Sequence, residues 1–186
     1  MIAFLLGAAL GLSGCASAPP LAGTVSGRTY TSSQGQFSVS FPVSPEVGGR
    51  VISDGPESVT FHDNWGSSIT FSSAAFKSQS SMMSILQSQG RERALTEFAK
   101  RQYGDDIVVH YHPTTRDGTI SFIFVRPVGP KRGVAMFVNG GRVYLAETDM
   151  LPGVQLLAQN DDQSQLDRLV WLEARAVELA QSMDVK

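Results

Sequence analysis

The chain has 186 residues, 42% of them hydrophobic and ten of them phenylalanine, which suits one domain with a real core and argues against general disorder. Its 15 basic and 17 acidic residues are interspersed and sum to −2. The basic block that a nucleic-acid binder needs is therefore missing, and with Cys15 as the single cysteine no intrachain disulfide can form.

Residues Ile2 to Leu12 are apolar or small, and the first charged side chain is Arg28. A run of this length falls short of the ~20 residues that span a bilayer as a helix. It suits the h-region of an export signal. The run ends in Leu12-Ser13-Gly14-Cys15, and these four residues resemble the lipobox of bacterial lipoproteins. The resemblance implies a signal peptide over residues 1–14, cleavage just before Cys15, and a diacylglycerol on the Cys15 thiol. The new amino group can then take a third acyl chain. At ~0.8 kcal/mol for each buried methylene, two or three chains anchor a protein stably. The basic n-region of a signal peptide is reduced to the Met1 amine, which a start codon slightly upstream would explain. Ala16 follows the cysteine in place of an aspartate, which by the sorting pattern of enteric lipoproteins implies the periplasmic face of the outer membrane. Residues 15–27 are expected to be the lipidated cysteine and a tether, uncharged from Ala16 to Gly27 and stiffened by Pro19-Pro20. Residues 28–186 are expected to form a single globular domain.

Within that domain Phe37, Val39 and Phe41 alternate with Ser38 and Ser40, the period of a strand with one buried face, and Pro42 and Pro45 end it. A short strand is expected at Arg50 to Ser53, before Asp54-Gly55-Pro56. Val59 and Phe61 alternate with Thr60 and His62, and Asp63-Asn64-Trp65-Gly66 supplies turn chemistry. Ser67 to Ser73 repeats the alternation. From Ser81 the period changes. Met83, Leu86, Gly90, Ala94, Phe98 and Gln102 fall on one helical stripe with Leu95 and Ala99 beside it. Gly90 costs this helix about 1 kcal/mol relative to alanine and marks a break or a close contact. Gly104 is placed as its C-terminal cap.

Strand signals return at Ile107 to His112 and at Thr119 to Val128, where the apolar run Ile120 to Val125 predicts a central strand covered on both faces. Gly133 to Val138 and Arg142 to Asp149 flank Asn139-Gly140, a strong hairpin signal. A second helix follows, with Ser164 as its N-cap and Leu166, Leu169, Val170, Val177, Ala180 and Met183 as its apolar stripe. The fold class predicted is α+β, an antiparallel sheet of about six to eight strands packed with two main helices.

The segment Tyr30 to Pro42, YTSSQGQFSVSFP, resembles the opening of PsbP-like domains, which place a glycine after an aromatic-rich segment and follow it with a Phe-Ser-Val-x-Phe-Pro strand. The order of elements is similar through Met183. That family includes the lumenal photosystem II subunit, bacterial envelope lipoproteins and a eukaryotic nuclear-import factor. The resemblance covers roughly residues 28 to 183. It implies an α/β/α sandwich serving as a binding or assembly module, and it brings no catalytic residues.

Candidate chemistry is sparse. His110 and His112 are two apart, so on a strand they share a face and could ligate a metal, with His62 and Asp63 as further candidates. Against this, three histidines on the polar faces of half-exposed strands need no ligand. Glu147 and Asp149 also share a strand face, where paired carboxylates can do acid–base work or simply line a solvated edge. Gly140-Gly141 reads as a hairpin turn before a ligand approach. Trp171 reads as a boundary residue before a partner anchor, and Met82-Met83 as helix-end packing before an adaptable binding surface. No Gly-x-Ser-x-Gly elbow, phosphate-binding glycine loop or zinc cysteine pair is present.

The expected function is that of a non-enzymatic, membrane-anchored envelope lipoprotein, a binding or assembly module with no cofactor beyond its covalent lipid. Its expected partners are the membrane and an envelope protein, a peptide or a lipid, and not nucleic acid. The alternatives are a metal-binding or hydrolytic periplasmic domain using His110 and His112, and a structural envelope lipoprotein.

Overall fold

A computed structural model describes residues 21–40, 50–62, 68–76, 80–116, 120–127, 132–149 and 162–186. Among these residues, two antiparallel sheets and three helices form an α+β fold. The smaller sheet holds β1 (Thr24–Ser26), β2 (Thr29–Thr31), β3 (Phe37–Ser40) and, last in the chain, β11 (Asp184–Val185), in the order β1-β2-β3-β11. The larger sheet holds β4 (Arg50–Gly55), β5 (Ser58–His62), β6 (Ser68–Ala75), β7 (Ile107–Arg116), β8 (Ile120–Pro127), β9 (Arg132–Asn139) and β10 (Arg142–Asp149). Its order is β4-β5-β6-β10-β9-β8-β7. The helices are α1 (Ser80–Gln89), α2 (Arg91–Tyr103) and α3 (Asp162–Gln181).

The larger sheet is covered on both faces. On one, Ala94, Leu95, Phe98 and Ala99 of α2 pack with Met82 against Val134, Met136, Val138, Val143 and Leu145. On the other, Ala176, Val177, Leu179, Ala180 and Met183 close with Tyr30, Phe37 and Val39 of the small sheet over Val59, Phe61, Phe71, Phe137, Tyr144 and Ala146. Alternate residues of β10 thus belong to opposite cores, as the strand period requires. Edge-to-face contacts run from Tyr30 to Phe61 and from Phe61 to Phe71, at centroid separations of 6.3 and 6.0 Å. Phe137 and Tyr144 stack at 5.2 Å.

Several sequence expectations shift. Strands β9 and β10 are buried on both faces, beneath α2 and α3. β8 also packs against both α2 and α3, as expected of a covered strand, but it lies next to the edge strand β7 and not at the centre of the sheet. The expected first helix is two helices, because Gly90 turns the chain with φ 89° and ψ 174° between α1 and α2. Met82 rather than Met83 is the fully buried member of that pair, and Gln102 is exposed. Gly104 caps α2, its N–H donating to the Lys100 carbonyl at 2.8 Å. The last helix begins at Asp162, two residues ahead of the Ser164 cap, and Val170 lies outside its apolar stripe at 60% exposure. The β9–β10 turn is Gly140-Gly141, both at positive φ (55° and 76°), the geometry a two-residue hairpin loop demands. Pairing of the small sheet starts at Thr24, ahead of the expected boundary at Arg28.

Candidate functional site

The carboxylate of Asp54, near the end of edge strand β4, accepts three hydrogen bonds. Its Oδ1 accepts the Ala22 N–H at 3.0 Å. Its Oδ2 accepts the Gly23 N–H at 2.7 Å and the Tyr30 hydroxyl at 2.9 Å. Charge-assisted bonds of this kind are stronger than neutral ones. The fit depends on glycine: a Cβ at position 23 would lie 2.4 Å from the Tyr30 oxygen and 2.5 Å from the Thr31 carbonyl oxygen. Burial pushes the Asp54 carboxyl up, but the Gly23 and Ala22 N–H groups and the Tyr30 hydroxyl together outweigh it and hold the carboxyl below its ordinary 3.8. Burial, reinforced by the neighbouring Asp54, keeps the Tyr30 hydroxyl protonated well above its usual range. A carboxylate satisfied by three donors has little left to offer as a base or ligand. What it does is mechanical, fixing two consecutive backbone amides of the incoming chain to the folded domain. From the sequence, the short strand is expected to end just before Asp54 and the incoming segment to be a tether. The signal was an aspartate next to a turn glycine, with its partners some thirty residues away.

His62 and His110 do not converge. His110 of β7 turns toward α3, where its Nδ1 lies 2.8 Å from Glu173 Oε2, and its ring tilts against Phe124. His62 lies on β5, opposite Ser68 of β6, on the face away from Val59 and Phe61. Five strand spacings separate β5 from β7, about 24 Å, so His62 cannot complete a site at His110. His112 pairs its backbone with Phe122, and a bulge follows it; its side chain and Asp63 lie outside the described residues. Among the described residues, no group of three His, Cys, Asp or Glu side chains could hold a metal ion.

Glu147 and Asp149 lie on the α2 side of β10 and are half-buried. Glu147 accepts the Tyr103 hydroxyl at 2.7 Å, a bond that fastens the end of α2 to the sheet. Trp171 is a boundary residue, 37% exposed on α3. Gly140 and Gly141 turn the hairpin and also line a cleft of about 440 Å³ with Leu86, Gly90, Arg91, Val138 and Asn139. Leu12, Ser13, Gly14 and Cys15 lie outside the described residues.

No protein-family model matches the chain, and no curated protein matches it. Among solved structures it is similar to the solution structure of cyanobacterial PsbP (CyanoP) from Synechocystis sp. PCC 6803. The identity is 12% and the TM-score 0.50, over 85% of this chain and 91% of that one. At this identity the likeness shows the fold alone, and it agrees with the layered α+β architecture described above.

Proposed function

We propose that this chain is a bacterial envelope lipoprotein, a non-enzymatic binding or assembly module held at the periplasmic face of the outer membrane by acyl chains on Cys15. The observation that carries this reading is the Leu12-Ser13-Gly14-Cys15 pattern at the end of an uncharged apolar run. No helix among the described residues is long and apolar enough to cross a membrane. Confinement to a thin layer raises the effective concentration of the domain for partners there without any new contact.

The described chemistry supports binding over catalysis. Asp54, Glu147 and Glu173 all have side-chain or backbone donors within bonding distance. Strands β4 and β7 are the edges of the larger sheet, and an exposed edge can add a strand from a partner. The cleft beside Gly90 and the β9–β10 turn is a second place for a peptide or lipid group.

A Cys15→Ser variant tests the anchor: it is expected to remain an uncleaved precursor without lipid, and normal maturation with equal membrane retention would overturn the reading. Crosslinking in cells from the native lipoprotein tests the partner class, with an envelope component as the expected capture.

A further inference from the structure

We infer that the membrane-facing surface of the domain is the patch formed by Leu21, Val25 and Arg28, and that the Asp54 clamp holds this patch against the lipid headgroups. The inference rests on the lipid-anchor reading of Cys15 and deepens it.

Ala22 and Gly23 are bonded to Asp54, so the chain is fixed to the domain from Ala22 onward rather than from Arg28. Six steps separate Cys15 from Leu21. At full extension they span about 20 Å. A lipid on Cys15 therefore keeps Leu21 within that distance of the headgroup layer. A tether running to Gly27 would double the reach and leave the orientation of the domain unconstrained.

The side chains at the clamp suit that position. Among the described residues the exposed large apolar side chains are Leu21, Val25, Tyr111, Val170 and Trp171. The first two flank the clamp, at 41% and 44% exposure. They are the two nearest to Cys15 in the chain. No charge occurs between Cys15 and Gly27, so nothing ionic on the incoming segment has to be desolvated at a bilayer surface. The first charge is Arg28, exposed in the β1–β2 turn beside Gly27, which sits at φ 57°. An arginine there can reach anionic headgroups while the neighbouring apolar side chains sink into the interface. The Asp54 carboxylate that holds this segment is itself occupied by three donors.

The test uses the mature, lipidated protein in vesicles of zwitterionic and anionic phospholipids that carry a shallow nitroxide lipid. With the Cys15 sulfur acylated, Val25→Cys and Val170→Cys each offer one thiol for an environment-sensitive fluorophore. The label at position 25 is expected to shift to the blue and to be quenched by the nitroxide lipid, and the label at position 170 on α3 to do neither. Adding Asp54→Ala to the Val25→Cys variant is expected to weaken the quenching, because the tether lengthens. Unquenched label at position 25, or equal quenching at both positions, in protein that stays on the vesicles overturns the inference while leaving the anchor intact. Unchanged quenching in a folded Asp54→Ala variant overturns the role of the clamp. Labelling of unmodified protein at Cys15 itself overturns the anchor and the inference together.

Discussion

The Tyr30 hydroxyl lies 2.9 Å from Asp54 Oδ2, a bond that joins the small sheet to the outer edge of the large one. Tyr30 is fully buried, with its ring edge-to-face against Phe61. The oxygen that accepts its hydrogen bond also accepts one from the Gly23 N–H. One carboxylate thus couples the aromatic core to the point where the chain joins the domain.

Asp54→Ala removes the acceptor from three donors, one of them well exposed. The expected loss is about 1–2 kcal/mol in urea unfolding, with the denaturant slope unchanged. Tyr30→Phe should cost less, and the double variant less than the sum, because both substitutions break the same bond. Strict additivity would show that the bond contributes nothing.

The Asp54 carboxyl is held below its ordinary 3.8 in the folded state, despite the opposing effect of burial. Its contribution to stability is then fully present above that ordinary value and is lost as pH falls through the folded one. The stability gap between wild type and Asp54→Ala should be constant near neutrality and close in acid below about pH 4. A gap that persists unchanged at pH 2 would contradict the arrangement. Tyr30 has the opposite sign. Its hydroxyl is held protonated beyond the ordinary 10.0, so its contribution is complete below that pH and declines as pH rises above it. Tyr30→Phe should be less sensitive to alkali than wild type.

Gly133, the second residue of β9, lies directly beneath α3. A Cβ there would lie 2.7 Å from Phe124 Cε2, 2.9 Å from Leu172 Cγ and 3.2 Å from the Leu172 carbonyl oxygen. The ring can shift, but the helix backbone cannot do so freely. Gly133→Ala is therefore expected to destabilise by about 1–3 kcal/mol. A neutral or stabilising effect in thermal unfolding would show that α3 packs less closely on β9.

The His110–Glu173 pair is half-exposed on the histidine side, so His110→Ala should change stability by less than about 1 kcal/mol. Metal analysis of the purified protein is expected to find no stoichiometric zinc or copper. Stoichiometric metal that disappears in a His110→Ala/His112→Ala double variant would restore the metal-binding reading.

The elements legible in the sequence were those with enough residues to show a period. Phe37–Ser40, Ser58–His62 and the β9–β10 hairpin followed from alternation and from the Asn139-Gly140-Gly141 turn. The break at Gly90 followed from glycine chemistry. Strands β1, β2 and β11 have two or three residues each, too few for any period; β1 and β2 form a hairpin about Gly27-Arg28, and β11 forms only because β3, distant in sequence, presents its edge. Ile120 to Val125 is as apolar as a central strand, yet sheet order is decided by pairing that hydropathy does not encode. The clamp was invisible for the same reason: Asp54 meets Ala22 and Gly23 across more than thirty residues. His110 and His112 were legible as candidates, but the engagement of His110 by Glu173, 63 residues away, was not.

The most direct test is the intact mass of the amino-terminal peptide from protein made in a bacterium with its own signal sequence. This peptide is expected to begin at Cys15 and to carry the mass of a diacylglycerol, with or without a further acyl group. A free thiol at Cys15, or a peptide that still contains residues 1–14, would contradict it.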